Sequence, residues 1–472
     1  MHNKNDRINL SIYDITNEGL GVAKLEGKVF FVKNALPGDE VSAIITKVNK
    51  NLIYAKAETI IKYSEFRTEP PCDIHNSCGG CELLALDYKK QLEIKKQIVL
   101  NNLKNIGSLE LEGKYEKIIG MDNPYKFRNK LQVPYGVRND EIIYGFYARR
   151  THYIIPFINC PVCFDGSQVI LGAIKNVLDE FSISIYNEET KLGIFREVFL
   201  RSSNDNKQVS ITYIVNDEKV NEDRIKYYKK FDEAVRDNIS KKECIYKIVT
   251  STLNINTEDN NVLMGKTNIL LYGMGYIEDS IGSVNFRISP QSFYQVNMLM
   301  TKELYAKVLE YGNFDGSETV LDLFCGIGTI SLYIASKVKK VVGVEIIDSA
   351  IENAKENAQI NNISNAEFIT GDVNENLLTS LSEKIDSHKF DCIVVDPPRK
   401  GLSVSSIDTI LKINPKKIIY VSCDSATLSR DLKIILEKNP NFNISKLSNV
   451  DMFPHTMHIE TIVLIENRIS DN

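Results

Sequence analysis

A cysteine stands between an apolar strand and the start of a helix in the C-terminal third of the chain. The run Lys417-Ile418-Ile419-Tyr420-Val421-Ser422 is typical of a buried strand, Cys423 follows it, and a helical pattern begins at Ser425. Open α/β sheets keep their sites at the carboxyl ends of strands, and a neighbouring helix N-terminus lowers the pKa of a thiol. We therefore predict that Cys423 has a lowered pKa and acts as a nucleophile.

Two acidic residues also follow or begin apolar strands in this region. Asp396 comes after the apolar residues 390–395 and opens the motif Asp396-Pro397-Pro398-Arg399. Glu460 stands at the start of the last apolar strand, just after His455 and His458. A carboxyl group whose pKa is raised by burial can serve as a general base. Glu460 is therefore the candidate base, with either histidine as an alternative.

A glycine turn upstream predicts a nucleoside site. Residues 318–323 form a short apolar strand that ends at Phe324-Cys325-Gly326-Ile327-Gly328, and an apolar helix follows. The next apolar strand ends at Glu345, where an acid can hold both ribose hydroxyls of an adenosine ligand. A pyrophosphate site would need a third glycine, but Thr329-Ile330-Ser331 occupies those positions. The pattern therefore favours S-adenosyl-L-methionine over a dinucleotide.

The combination of a thiol with an acid-Pro-Pro motif favours one kind of methyl transfer. C5 of uracil is a poor nucleophile, whereas addition of a thiolate to C6 creates a carbanion at C5 that can attack a methylsulfonium. Methylation of an exocyclic amine needs no cysteine. A 5-methylcytosine enzyme also uses one, but typically in an acid-x-Pro-Cys motif, and Asp396-Pro397-Pro398-Arg399 contains none. Uracil C5 is the predicted target.

Five of the nine cysteines fall in two segments whose spacing predicts a metal centre. Cys72, Cys78 and Cys81 lie in the first, and Cys160 and Cys163 in the second. A zinc site would use the two C-x-x-C pairs and leave Cys72 over. An iron–sulfur cluster would use Cys72, Cys78, Cys81 and Cys160, the last of which precedes a proline. Buried thiols without a metal are the third alternative.

The charge of the whole chain neither supports nor excludes an RNA partner. The net charge is -5 and the pI is near 5.9, but a sum over 472 residues hides local patches. Residues 125–130 and 145–152 interleave aromatic with basic side chains, as phosphate-neutralising and base-stacking surfaces do. A pair of solvated strands with core-facing aromatics explains them equally well.

The sequence also predicts location and domain organisation. It contains no run of about 18 apolar residues and begins with a polar segment, so we expect a cytoplasmic protein that does not span a membrane. Nothing in the sequence demands a larger assembly, so we also expect a monomer. The expected fold is α/β, with a Rossmann-like class I methyltransferase domain at residues 291–472. A small β-barrel at 1–60, a cysteine-cluster segment at 61–165 and an α+β region at 166–290 precede it.

Taken in order, these motifs resemble those of the RNA 5-methyluridine methyltransferases. The resemblance includes Glu18-Gly19-Leu20-Gly21-Val22-Ala23 and Ala35-Leu36-Pro37-Gly38-Asp39, which are similar to a TRAM domain, an RNA-binding barrel. It is nearest to the branch that combines this barrel with a cysteine cluster and modifies 23S rRNA. The tRNA-directed branch, which usually lacks both features, is the alternative substrate class.

The resemblance also implies roles for individual residues. Cys423 would be the nucleophile and Glu460 the base. The S-adenosyl-L-methionine contacts would be Gln291, Phe324, Glu345 and Asp396, with Asp372 on the adenine side. The metal centre would be a [4Fe-4S] cluster on Cys72, Cys78, Cys81 and Cys160. A non-catalytic RNA-binding assembly factor is a further alternative, but such a protein would not need this set of residues.

Overall fold

The computed structural model describes residues 2–149, 151–259, 262–373 and 390–468. The chain divides into two compact units. The first comprises Met1–Ile98, Phe146–Ile155 and Phe453–His458, and the second comprises Val99–Gly145, Pro156–Met452 and Ile459–Asn472. No helix among the described residues has both the length and the apolar character needed to cross a membrane.

The N-terminal part of the first unit is a six-stranded sheet with strand order β1-β5-β6-β4-β3-β2. Apolar side chains at alternate positions form its core, because successive residues of a strand face opposite sides of the sheet. Its strands are β1 (Arg7–Ser11), β2 (Asp14–Ile15), β3 (Gly21–Leu25), β4 (Lys28–Lys33), β5 (Glu40–Val48) and β6 (Leu52–Lys62).

A buried aspartate fixes the turn between β4 and β5. Gly38 has a φ of 93°, a conformation that glycine adopts at little cost. The Asp39 carboxylate accepts hydrogen bonds from the backbone N–H groups of Leu36 (2.7 Å) and Ser64 (3.0 Å). Arg67 donates to both of its oxygens at 2.8 Å. The predicted Pro-Gly turn is thus present, and its buried charge is fully paired.

A seven-stranded mixed sheet, most of it in the second unit, forms the central region with strand order β10-β9-β8-β11-β12-β13-β14. Its strands are β8 (Lys130–Arg138), β9 (Glu141–Tyr147), β10 (Ile154–Pro156), β11 (Phe195–Ser202), β12 (Gln208–Val215), β13 (Lys247–Ile255) and β14 (Thr267–Gly273). The accompanying elements are the helices α1 (Tyr88–Asn105), α2 (Ser167–Glu180) and α3 (Glu222–Ser240), and the hairpin of β15 (Ile277–Ile281) and β16 (Val284–Ile288).

The C-terminal part of the second unit is an eight-stranded sheet with order β19-β18-β17-β20-β21-β23-β22-β7. Its strands are β7 (Tyr115–Ile119), β17 (Thr319–Leu323), β18 (Lys340–Glu345), β19 (Ala366–Thr370), β20 (Cys392–Val395), β21 (Lys417–Ser422), β22 (Phe442–Val450) and β23 (Glu460–Asn467). Strands β17 to β21 are parallel, and β23 runs antiparallel to β21.

Helices connect the strands of this sheet, as parallel neighbours require. They are α4 (Met298–Gly312), α5 (Thr329–Ile334) with a 3₁₀ turn at Ala335–Lys337, α6 (Asp348–Ile360), α7 (Val404–Ile413) and α8 (Ser425–Lys438). After β17 the chain adds β18 and β19 on one side of that strand, and it then returns to place β20 on the other side. A crevice therefore opens at the carboxyl ends of β17 and β20, where doubly wound sheets bind ligands. The predicted α/β class I methyltransferase fold is confirmed.

Candidate active site

The turn after β17 is held in an unusual backbone conformation. Phe324, Gly326 and Gly328 have φ values of 65°, 55° and 81°, all in the left-handed region. A Cβ atom on Gly328 would lie 2.8 Å from the ring of Phe368, so a side chain there would displace that ring. Phe324 has no such freedom, and a non-glycine residue in this region costs free energy that must be offset elsewhere. Such strain is typical of ligand-binding turns.

The Glu345 side chain is fixed at the end of β18 by backbone amides. Its Oε1 accepts hydrogen bonds from the N–H groups of Ile346 (2.9 Å) and Ile347 (3.1 Å), and its Oε2 from Gly326 (3.3 Å). The carboxylate is therefore tied to the glycine turn. Asp372 follows β19 at the same edge, where Gly371 donates to the Glu345 carbonyl at 3.0 Å.

Strands β20, β21 and β23 bring Asp396, Cys423 and Glu460 to one edge of the sheet. Asp396 follows β20 and Cys423 follows β21, both at carboxyl ends. Glu460 begins β23, which is antiparallel and pairs Thr461 with Ser422, so its start lies at that same edge. The carboxylates of Asp396 and Glu460 are close enough to each other and to the Cys423 thiol to raise its pKa. The three predicted groups therefore form one site.

Burial and mutual repulsion neutralise this acidic edge. Burial raises the pKa of Asp396 to about 7. Burial and the neighbouring Asp396 raise the pKa of Glu460 to about 8, against the opposing effect of Arg399. Burial also raises the pKa of Asp322, on β17, to about 7, although Ser331 Oγ donates to its carboxylate at 2.5 Å. A cation bound here would relieve the repulsion and favour the ionised carboxylates.

The expected lowering of the Cys423 pKa is wrong. Burial, together with the charges of Glu460 and Asp396, raises the pKa of this thiol to about 12. The first amides of α8 do not compensate, because the Asp424 carboxylate already accepts hydrogen bonds from Ala426 N (2.9 Å) and Thr427 N (3.0 Å). The thiol is protonated at neutral pH, so a nucleophilic role requires that it transfer its proton as it reacts.

A buried carboxylate anchors the loop that carries Asp396. Asp431, on α8, accepts hydrogen bonds from Leu402 N and Tyr420 OH, both at 2.7 Å, and pairs with Arg430 at 2.7 Å. Arg430 in turn donates to the Lys400 carbonyl at 2.9 Å. The helix that begins beside Cys423 thus also holds the loop after β20. The sequence provided no signal for Asp431. Asp322 was distinguished only as a charged residue inside an apolar run.

Burial and hydrogen bonding differ among the other predicted residues. Gln291 is exposed, and the contacts of its segment are made by neighbours such as Ser292, whose carbonyl accepts from Arg201 at 2.8 Å. In the first unit, His455 is buried with its Nδ1 3.2 Å from Gln91 Nε2, and His458 is exposed. The buried His455 is thereby engaged structurally, which favours Glu460 as the base.

The predicted metal centre is not supported. Among the residues that the structure describes, no three histidine, cysteine, aspartate or glutamate side chains gather as a metal site would require. Cys72, Cys78 and Cys81 lie in the first unit. In the second unit Cys160 accepts a hydrogen bond from Cys163, which lowers its pKa to about 6. Spacing cannot establish that segments about 80 residues apart meet.

Comparison with known proteins places this geometry in a family. A family model described as tRNA (Uracil-5-)-methyltransferase matches residues 87–468, and a TRAM domain model matches residues 3–59. A protein of Clostridium tetani, named an uncharacterized RNA methyltransferase, is 40% identical over 462 residues, covering 98% of this chain and 96% of the relative. A protein of Clostridium acetobutylicum with the same description is 41% identical over 471 residues, covering 98% and 97%.

A solved structure is similar over nearly the whole chain. It is the Pyrococcus abyssi tRNA (uracil-54, C5)-methyltransferase in complex with S-adenosyl-L-homocysteine, with a TM-score of 0.75 and 25% identity. The match covers 97% of this chain and 100% of the solved one. The comparison therefore extends beyond the catalytic sheet to the other elements.

Proposed function

The chain belongs to the tRNA (uracil-5-)-methyltransferase family and is an S-adenosyl-L-methionine-dependent RNA methyltransferase, and we propose that it methylates C5 of a uridine in 23S rRNA through a covalent adduct at Cys423. The observation that carries the proposal is the meeting of Cys423, Asp396 and Glu460 at one sheet edge.

The residues at this edge suit a cationic methyl donor. S-adenosyl-L-methionine supplies a methyl group on a positively charged sulfur. Asp322 Oδ1 is buried with no hydrogen-bond partner among the described residues, so it is open to a ligand donor group. Glu345, held by three backbone amides, would bind the ribose hydroxyls, and Phe324 and Asp396 would line the rest of the site. Gln291 and Asp372 would contribute from the segments beside it.

With the cationic donor favouring the ionised carboxylates, the Cys423 thiol would pass its proton to Asp396 as its sulfur attacks C6 of the uracil ring. A Cys423 Sγ–C6 bond then forms, and the electron pair at C5 takes the methyl group as the methyl–sulfur bond breaks. Glu460 would remove the proton left on C5, and the Sγ–C6 bond breaks to restore the ring and release Cys423. The raised pKa of Glu460, about 8, makes its ionised carboxylate a stronger base for the C5 proton.

The test is methyl transfer to RNA carrying tritium at C5 of uracil, with labelled S-adenosyl-L-methionine. Wild-type protein should incorporate methyl label and release tritium in equal amounts, and Cys423→Ala should do neither. Cys244→Ala is the matched control, because Cys244 is also a partly buried free thiol and precedes β13 of the central sheet. Label uptake without tritium release, or an active Cys423→Ala protein, would refute C5 chemistry through this cysteine.

The 23S rRNA assignment rests on the TRAM domain and the cysteine-rich segment 72–81 that follows it. A tRNA substrate is the second candidate, because the solved Pyrococcus abyssi relative is named for tRNA uracil-54. Unmodified 23S rRNA fragments and tRNA transcripts should be assayed side by side. Methylation of rRNA alone supports the proposal, and methylation of tRNA alone replaces it with the second candidate.

Two further alternatives have separate readouts. A non-catalytic assembly factor would leave Cys423→Ala fully functional in cells that lack the wild-type protein. For the cysteines, anaerobically purified protein should be analysed for iron, sulfide and zinc. Stoichiometric iron and sulfide would establish a cluster that the structure does not support, and zinc would establish the alternative. Neither result affects the chemistry at Cys423.

A further inference from the structure

One face of the central sheet carries two cations directly opposite each other. Lys130 on β8 pairs across the strands with Arg201 on β11, and Arg201 pairs in turn with Ser210 on β12. Paired residues of neighbouring strands share a face, so the three side chains form one row. The ring of Phe199 lies beside this row, 5.6 Å from the Arg201 guanidinium and 6.0 Å from Lys130 Nζ.

Arg201 is buried without enough partners. Only 1% of the residue is exposed, and its hydrogen bond to the Ser292 carbonyl, at 2.8 Å, uses Nη2. Its Nε and Nη1 have no hydrogen-bond partner among the described residues, and neither do the hydroxyls of Ser210 and Thr212 on the same face. Buried donors of this kind are rare in folded proteins and indicate a missing water or ligand.

Among the described residues, the row also has no counterion. In the part of the chain that the structure describes, neither Lys130 nor Arg201 forms an ion pair, and Arg128 adds a third positive charge next to Lys130. Burial and the charges of Arg201 and Arg128 lower the pKa of Lys130 to about 8, and burial lowers the pKa of Arg201 to about 10. Like charges opposite each other destabilise a sheet, so the arrangement costs folding stability.

We propose that Lys130, with exposed Arg128 beside it and buried Arg201 behind it, binds a backbone phosphate of the RNA substrate. Lys130 is half-buried and would make the direct contact, while Arg201, closed to solvent, would supply positive potential. A phosphate suits this row because the Lys130 ammonium can donate to its oxygens and the buried Arg201 charge behind it favours an anion. The hydrogen bond from Arg201 to Ser292 connects the row to the segment that precedes α4.

The proposal deepens the proposed function, but it depends only on RNA being the substrate. The test variant is Lys130→Gln, which removes one cation and leaves Arg201 in place. Lys226→Gln is the matched control, since Lys226 is an exposed lysine on α3 that pairs with Asp223 at 3.1 Å. The dissociation constant of each full-length protein for an unmodified 23S rRNA fragment and for a tRNA transcript is measured against KCl concentration. Binding of S-adenosyl-L-methionine is measured by calorimetry.

Lys130→Gln should weaken RNA binding several-fold and reduce the slope of log K against log salt by about 0.7 to 0.9, the contribution of one phosphate contact. Lys226→Gln should change neither. S-adenosyl-L-methionine affinity and thermal stability should not fall in either variant. An unchanged salt slope in Lys130→Gln overturns the proposal. A loss of donor affinity with intact RNA binding would instead assign the row to the carboxylate of the donor.

A failure of the phosphate-site proposal can be distinguished from a failure of the proposed methyl transfer. The salt titration measures binding and needs no methyl transfer, so it is informative even if Cys423 is not the nucleophile. Conversely, a tritium-releasing enzyme whose Lys130→Gln variant binds RNA as well as wild type would lose only the phosphate site.

Discussion

Two parts of the second compact unit bury charge of opposite sign. At the catalytic edge, Asp396 and Glu460 crowd together with Asp322 nearby, and burial raises the pKa of each. In the central sheet, Lys130 and Arg201 face each other, and burial lowers the pKa of both. Each region is driven toward its neutral form because its groups are buried and like charges lie together, and Arg399 offsets only part of this at the acidic edge.

Other buried charges in the same chain are fully paired. Asp39 has Arg67 and two backbone amides, and Asp431 has Arg430, Tyr420 and a backbone amide. Those carboxylates anchor a turn and a loop. The contrast fits the two proposals, in which the regions are kept for ligands, a cationic methyl donor at the acidic edge and an anionic RNA at the basic row.

The largest expected effect tests the acidic edge. Glu460→Gln keeps the shape of the side chain but cannot accept the C5 proton, so the methylation rate should fall by about 10² to 10⁴. Methylated RNA should remain attached to Cys423 and be visible on a denaturing gel. The matched control is Glu466→Gln, six residues along the same strand β23. Equal losses in both variants would indicate a structural effect on β23 rather than loss of a base.

A smaller loss is expected when the paired carboxylate Asp431 is changed. Asp431→Asn weakens the hydrogen bonds that hold the loop after Asp396, so the rate should fall about tenfold through misplacement of the site. Cys423 remains, so tritium release and methyl transfer should fall together. Asp408→Asn, which removes an exposed carboxylate that pairs with Lys438, should leave the rate unchanged. A fully active Asp431→Asn protein would mean that the loop is held by its other contacts alone.

The two regions should change stability with pH in opposite directions. Glu460 has a folded-state pKa near 8, above its value of 4.5 in the unfolded chain. Its contribution to the free energy of unfolding is therefore full below about pH 4.5 and is lost as pH rises through 8. Lys130 has a folded-state pKa near 8, below its unfolded value of 10.5. Between pH 8 and pH 10.5 this lysine binds more protons in the unfolded chain than in the folded one, so the free energy of unfolding rises with pH.

Melting temperatures of ligand-free protein isolate these contributions. The melting temperature of wild type minus that of Glu460→Gln should fall as pH rises from 5 to 8. The melting temperature of wild type minus that of Lys130→Gln should rise as pH rises from 8 to 10. Differences that do not vary with pH would show that these groups are not the uncompensated charges of the two regions.

The smallest effect is expected at Gln291. Its side chain is exposed, so Gln291→Ala should raise the KM for S-adenosyl-L-methionine by no more than a few-fold and leave kcat unchanged. Gln295→Ala is the useful comparison, because Gln295 lies on the same segment and is 8% exposed. A larger rise for Gln295→Ala would place the donor contact at the buried glutamine instead.

The sequence by itself determined the catalytic fold and the set of residues at its edge. Apolar runs that end in Phe324, Glu345, Asp396 and Cys423 predict parallel strands, and parallel strands place their carboxyl ends together. These features are local in the chain, which is why they can be recognised without coordinates. Glu460 was predicted from its place at the start of the last apolar strand, but the antiparallel pairing that brings this strand start to the same edge is seen only in the structure.

Only the tertiary structure decided the electrostatics. The local sequence favoured a lowered pKa for Cys423, but Glu460 and Asp396 arrive from other strands and raise it. The missing counterion of Arg201 and the anchoring by Asp431 likewise depend on residues distant in sequence. A pKa or a metal site depends on every group within a few ångströms, and neighbours in space are set by packing rather than by spacing along the chain.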